Sequence, residues 1–257
     1  MANMGYGLTQ SLRAEVTKLR SVRSTTWTLL ATVVGTILVT VLATNGIHRS
    51  GRDAIRGFDP TSQSLTGIAL GQLTIGLLGV LMITGEYGIG TIRSSLAATP
   101  RRPLFVGAKV IVIAAVALVV GEILTFGCFF TGRVILSGHA PVATLGQPAV
   151  LRALLLTGAY LALLGMFGLG LGVIIRHTAG AITAFVAIIF LLPTLLQPLS
   201  AHGDPNRFTP EQILANSVAA VVHQSGQLNP AVGFSLMALY CAVTLGVGMV
   251  LLNRRDA

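Results

Sequence analysis

The sequence predicts an all-α, polytopic membrane protein with six transmembrane helices, and three observations predict it. Only 10% of the 257 residues are charged while 53% are hydrophobic, against the roughly 25% charged that coats a water-exposed globule. The hydrophobic residues come in blocks of about 20, the length a helix needs to cross roughly 30 Å of hydrocarbon at 1.5 Å per residue. The charges, 15 Arg and 2 Lys against 8 acids for a formal +9, fall between those blocks. That placement marks membrane orientation rather than a nucleic-acid surface.

The uncharged runs place spans at Trp27 to Ile47, Leu65 to Thr84, Val110 to Phe130, Ala153 to Ile175, Gly180 to Leu199 and Val232 to Leu252. No loop is long enough for another folded domain, so residues 1–257 are expected to form one membrane domain. No cleavable signal peptide is expected, because the first long apolar run begins at Trp27 and is already long enough to span. Six spans put both ends on one side. With that side cytoplasmic, Arg13, Lys18, Arg20, Arg23, Arg93, Arg101, Arg102, Lys109, Arg176, Arg254 and Arg255 lie inside, against Arg49, Arg52, Arg56, Arg133, Arg152 and Arg207 outside. The positive-inside rule therefore predicts cytoplasmic N- and C-termini of a multi-pass plasma-membrane protein.

Three further segments carry helical signals. Before span one, Leu8, Leu12, Val16, Leu19 and Val22 recur at spacings of three and four, which predicts an interfacial helix. Glu15 interrupts that stripe, with Lys18 three residues on as a pairing partner. After span two, Ile89, Ile92 and Leu96 share a face of residues 85–103, predicting a short cytoplasmic helix that Pro100 ends. Before span six, Thr209, Pro210 and Gln212 combine an N-cap, a proline at the first helical position and a capping-box partner. The helix that follows, to Val222, is expected to lie on or dip into the outer leaflet.

Chemical motifs are mostly excluded. There is no GxxxxGK[ST], and Gly168, Gly170 and Gly172 lie inside a span rather than between a strand and a helix, so they read as packing residues and not as a nucleotide site. Ser137-Gly138-His139 and Arg102-Pro103 have the look of a membrane phosphatase signature, but they fall on opposite faces of the bilayer. The His residues form no HExxH, no Ser sits in GxSxG, and Cys128 and Cys241 both lie in apolar stretches, so neither a hydrolase nor a metal site is encoded.

Polar residues within spans are candidates for a translocation path. Glu122 is the one formal charge well inside a span, where an ionised carboxylate costs roughly 2.5 to 3.5 kcal/mol unless it faces protein or water. Gln72, Thr74, Thr183, Thr194 and Gln197 are uncharged companions that equally suit interhelical hydrogen bonds. Pro193 and Pro198 are expected to bend the outer end of span five.

Four segments together resemble a known family. These are EVTKLRSVRSTTWTLL (15–30), EYGIGTIRSSLAATPRRP (86–103), GLGLGVIIRHTAGAITA (168–184) and the terminal NRRDA (253–257). They are similar to actinobacterial permease subunits of ATP-binding-cassette exporters, in the type 2 ABC transporter membrane-domain family. The resemblance implies a transport subunit that is not itself an enzyme and holds no cofactor. ATP and Mg would be bound by a separate ABC ATPase subunit, present in two copies beneath two permeases, most simply a homodimer. It implies that the ATPase is contacted by Glu15, Lys18, Arg20 and Arg23 in the first helix and by Glu86, Tyr87, Gly90, Thr91 and Arg93 after span two. The helix before span six resembles the family's re-entrant segment.

The expected function is outward movement of an amphipathic or hydrophobic small molecule, drug, antibiotic or lipid-like, and so efflux and antibiotic resistance. No sequence feature chooses among those cargoes. The alternative is a non-transporting membrane anchor or sensor that recruits a cytoplasmic partner through the basic face. A secondary transporter is disfavoured, since it would show inverted repeats or several intramembrane charges. Membrane lipid is an expected partner, and nucleic acid is not.

Overall fold

The computed structural model describes residues 7–21, 23–49, 59–92, 94–95, 102–137, 143–200, 204–220 and 228–255. In chain order they form α1 (Leu8–Ser21), α2 (Arg23–Arg49), α3 (Pro60–Ser64), α4 (Ile68–Gly88), α5 (Arg102–Leu136), α6 (Pro148–Ile175), α7 (Thr178–Leu196), α8 (Pro210–Val218) and α9 (Pro230–Arg255). No strand occurs among the described residues. Six helices are long and apolar enough to cross a membrane: Thr26–Asn45 within α2, then α4, α5, α6, α7 and Pro230–Arg254 within α9. Each coincides with an expected span.

The boundaries differ where polar residues are carried inside helices. Span two starts at Ile68, after a turn that joins it to α3, and runs to Gly88 instead of Thr84. Glu86 and Tyr87 therefore belong to the last turn of a span, not to a separate helix. Span three runs from Arg102 to Leu136 instead of Val110 to Phe130; its 35 residues reach about 52 Å, well beyond the hydrocarbon. Of the short helix expected after span two, residues 92, 94 and 95 are helical, with Ser95 N–H donating to the Thr91 carbonyl. Leu96 and Pro100 lie outside the described residues.

Helix α6 is the axis of the bundle: 72% of its span is buried, against 17% for α2 and 22% each for α7 and α9. Its glycines make that position possible. A Cβ on Gly79 of α4 would overlap the Gly165 carbonyl, and one on Gly168 would overlap that of Gly76, so α4 and α6 meet backbone to backbone. On the other sides, Gly170 receives Thr244 of α9 and Gly121 of α5 lies against the Gly158 carbonyl. The core of Leu154, Tyr160, Leu161, Leu164, Phe129 and Phe185 fills the spaces between these seams.

Helix α2 buries a face that is entirely threonine: Thr32, Thr36, Thr40 and Thr44, at a spacing of four. Small β-branched side chains let it sit close to the bend at Gly67, where a Cβ would strike the Thr36 carbonyl. Its opposite face, with Trp27, Leu30, Val34, Leu38 and Leu42, is exposed.

In α1 the observed orientation departs from the expected stripe. Ser11 and Glu15 are buried, whereas Leu8 and Val16 are exposed. Glu15 faces the protein because α5 supplies a charge for it, and the stripe is turned so that Leu12 and Leu19 are half-buried. In α7, a π turn over Ala187–Leu191 precedes Pro193, which has no N–H for the helical ladder, and a 3-10 turn over Gln197–Ser200 includes Pro198.

At the far end from α1, the segment before span six dips into the bundle. Thr209 caps α8 through the Gln212 N–H, as expected. The Tyr160 hydroxyl donates to the Pro210 carbonyl at 2.6 Å and that of Tyr240 to the Phe208 carbonyl at 3.0 Å. Tyr160 lies twelve residues along α6 from Pro148, about 18 Å below that end. The rim is tied by Asp59, whose one carboxylate oxygen caps α3 and whose other accepts the Ala220 N–H at 2.8 Å. Val221 and Val222 lie outside the described residues.

Gly79→Val is expected to force α4 from α6 and lower stability by about 1 to 3 kcal/mol or more. Gly246→Ala, where nothing lies within 4 Å of an added Cβ, should leave it unchanged or slightly raised. Thermal unfolding of both purified variants in detergent checks this.

Candidate functional site

The chain has only two lysines, Lys18 and Lys109, and the fold brings both together with Glu15 and Glu86. Lys109 Nζ lies 2.7 Å from Glu15 Oε2 and 2.7 Å from Glu86 Oε1, and Lys18 Nζ lies 2.9 Å from Glu15 Oε1 and 2.8 Å from Glu86 Oε1. The four charges alternate around a closed ring that joins α1, α4 and α5. Lys109 is almost completely buried, at 1% exposure, whereas the Lys18 side chain is 49% exposed. Directly beneath the ring sits a second apolar core of Ile83, Phe105, Val106, Ile113, Leu169, Val173 and Leu252.

Local structure explains each placement. Lys109 shares a helical face with Phe105, Val106, Val112 and Ile113, all buried, so the phase of α5 carries the ammonium inward. Its third N–H points to the Met82 carbonyl at 3.4 Å, and the Phe105 ring centroid lies 5.0 Å from Nζ. All three donors of the ammonium are thus occupied. Glu86 Oε1 accepts from both lysines, and its buried Oε2 has no hydrogen-bond partner. Partial burial pulls the Lys18 ammonium down, but the Glu86 and Glu15 carboxylates outweigh it and its pKa ends above the ordinary lysine value. Raised in this way, its contribution to stability is complete below the unfolded lysine pKa and is lost only as pH climbs through the raised value.

Around the ring the helix ends are fastened to one another. Arg102 donates to the Leu252 and Asn253 carbonyls at 3.0 and 2.9 Å, and Arg176 to that of Leu251 at 3.3 Å, so two guanidiniums cap the C-terminus of α9. Arg176, itself left-handed at φ 61°, also lies 5.5 Å over the Tyr87 ring. Helix α4 ends at Gly90, whose φ of +72° suits glycine. The resulting turn projects Ile89, Gly90 and Thr91 outward, and Ile89 is 76% exposed.

Of the coupling residues implied by the resemblance, the structure therefore brings Glu15, Lys18 and Glu86 into one ring, sets Tyr87 beside it and leaves Gly90 and Thr91 on the exposed turn. Arg20 and Arg23 lie in α1 and α2 with side chains outside the described set, and Arg93 is not among the described residues. The six path candidates are not gathered: no hydrogen bond joins any two of them among the described residues. Gln72 is buried on α4, and the Thr74 hydroxyl bonds back to the Leu70 and Gly71 carbonyls. Glu122 is half-buried against α6, where Gly158 leaves room for its carboxyl group. Thr183 and Thr194 are exposed on α7, and Gln197 is exposed in the 3-10 turn that follows it.

Lys109 was counted in the sequence only as a loop cation. The legible signal was its phase: a positive charge on the apolar face of one helix, and Glu15 interrupting the pattern of another.

A family model described as ABC-2 family transporter protein matches residues 11–194. The chain belongs to this family. No curated protein matches the chain. As an ABC-2 family membrane protein, it is a permease subunit of an ABC transporter, a multi-pass transport subunit rather than an enzyme, and membership implies association with an ABC ATPase. The matched region takes in α1 from Ser11 on, the whole charge ring, the first four spans and the fifth as far as Thr194.

Lys109→Met leaves two carboxylates with one half-exposed lysine, and removing one partner of a buried ion pair typically costs about 3 to 5 kcal/mol. Adding Glu15→Gln should restore part of that loss. Lys109→Arg should also destabilise the permease, because a planar fork does not reach three acceptors set around a point charge. Thermal unfolding of Lys109→Met, Lys109→Arg, Glu15→Gln and the Lys109→Met/Glu15→Gln double variant reads all three, and an additive double variant would show that the two residues do not interact.

Proposed function

We propose that this permease is an exporter half, paired with a second copy of itself and driven by two ATPase subunits docked at the end that carries α1. The reading places that end in the cytoplasm, in line with the eleven-to-six bias of positive charge. The observation that carries it is Ile89, an isoleucine largely exposed on a turn beyond the end of a span and rigidly continuous with the buried ring. An apolar knob on a fixed stalk suits a cleft in a partner. Displacing it moves Glu86, and Glu86 moves Lys109 and Glu15, so one push reaches α1, α4 and α5 together. Such a device responds because the partner's grip differs between its nucleotide states.

The remaining parts fit the same cycle. Helices α2, α7 and α9 are mostly uncovered in one chain, and α7 with the turn after it exposes Thr183, Thr194 and Gln197. Polar groups at membrane depth favour a protein or aqueous face over lipid, so α7 is assigned to the side facing the second copy and the path. The re-entrant α8 then closes the far mouth. The cargo consistent with these apolar walls is an amphipathic or hydrophobic small molecule, drug, antibiotic or lipid-like.

A cysteine at Ser62 should react with an impermeant reagent in intact cells, and one at Ser94 only after the membrane is opened; the reverse result would overturn the sidedness. With ATPase copurified, Glu86→Gln and Ile89→Asp should each cut transport-coupled ATP hydrolysis at least tenfold, Ile89→Asp by releasing the ATPase and Glu86→Gln while it stays bound. Normal coupling in both variants at normal expression would refute the assignment.

A further inference from the structure

A groove of about 790 Å³ opens along α4 between α1, α2 and the turn that follows α4. That volume is within the usual range for a small-molecule site. Its walls change character along their length. Leu77, Leu78 and Leu81 line the part toward the middle of the membrane, and Lys18 and Glu86 stand at the α1 end. The hydroxyls of Thr28, Thr91 and Ser95 line that same polar end.

The dimensions match one leaflet. From Thr74 to Glu86 the groove follows twelve residues of α4, about 18 Å of helix, against about 15 Å of hydrocarbon per leaflet. The charged end therefore falls where headgroups lie and the apolar end where acyl chains lie. Lys109 is enclosed and its donors are spent, but Lys18 keeps one N–H beyond those given to Glu15 and Glu86 and is half exposed. Glu15 and Lys109 also line the groove, so its two lysines and two glutamates balance, and the remaining Lys18 N–H is a charged donor open to one further oxygen.

We propose that this groove binds one phospholipid of the leaflet on the α1 side, with its phosphate on Lys18 and the neighbouring hydroxyls and one acyl chain along Leu77, Leu78 and Leu81. The assignment does not rest on the exporter reading, since it requires neither a direction of transport nor an ATPase. It makes the lipid a structural partner of the ring: a bound phosphate holds Lys18 from the outside, so the position of α1 depends on the headgroup.

The test uses the full chain in detergent with phosphatidylglycerol carrying a photoactivatable diazirine in one acyl chain. Cross-links are expected within residues 74–82, and Leu81→Trp, at an exposed position, should reduce them at least fivefold by filling the groove. Unlabelled phosphatidylglycerol should compete at least tenfold better than diacylglycerol, which lacks the phosphate, and Lys18→Gln should remove that difference. Glycerol phosphate, which lacks the chains, should not displace the probe. Thermal unfolding of each variant establishes that it is folded, and Thr28→Val gives a second headgroup variant should Lys18→Gln unfold. Cross-links spread evenly over the spans, equal competition by diacylglycerol, or unchanged labelling in folded Leu81→Trp would overturn the proposal. So would efficient disulfide formation between two copies carrying Leu78→Cys, which would put a second chain in the groove.

Discussion

The structure turns on one buried ammonium. Lys109 sits almost completely buried at the edge of an apolar core, where an unpaired charge would cost several kcal/mol. Everything nearby is arranged so that it is not unpaired: Glu15 comes from α1, Glu86 from the last turn of α4, and the Met82 carbonyl takes the third proton. Each carboxylate would itself be costly without the lysine. The ring thus holds together by mutual need, and it fixes an amphipathic helix to two spans at one level of the membrane.

The two ends of the bundle are built on different physics. At the α1 end, helix termini are bound by charge: the ring, the Arg102 and Arg176 caps on α9, and the Arg176–Tyr87 contact. At the other end, a short helix is sunk between α6 and α9 and held by neutral hydrogen bonds from Tyr160 and Tyr240, with Asp59 at the rim. Between them, the glycine seams bring α4 and α6 backbone to backbone, since each backbone occupies the space a side chain would need. Helices α2, α7 and α9 bury less of their spans within the chain than α4 and α6 do.

Lysine rather than arginine at the centre has a geometric reason. Fifteen other cations of the chain are arginines, and two of them do what a planar fork does well, binding the carbonyls at a helix end. The ring needs a compact charge that meets three acceptors from two other helices, Glu15 on α1 and Glu86 and the Met82 carbonyl on α4, in three directions, and an ammonium presents its donors that way. The same compactness lets Lys18, at the exposed side of the ring, serve both carboxylates.

The sequence by itself determined the all-α membrane architecture, the six spans and the packing role of the glycines, because block length and small-residue content report directly on bilayer thickness and helix approach. It also carried the α8 cap, a local signal between Thr209 and Gln212. Only the tertiary structure decided which edge of the α1 stripe is buried: the opposite charge on α5 draws Glu15 inward with Ser11, so that Leu12 and Leu19 are half-buried and Leu8 and Val16 are left exposed. The ring was equally hidden, since its members are separated by up to 94 residues and a charge beside a span reads in sequence as an orientation signal. Pairing depends on helices α1, α4 and α5 meeting at one height with their phases aligned, and that is a property of the packed bundle, not of any segment within it.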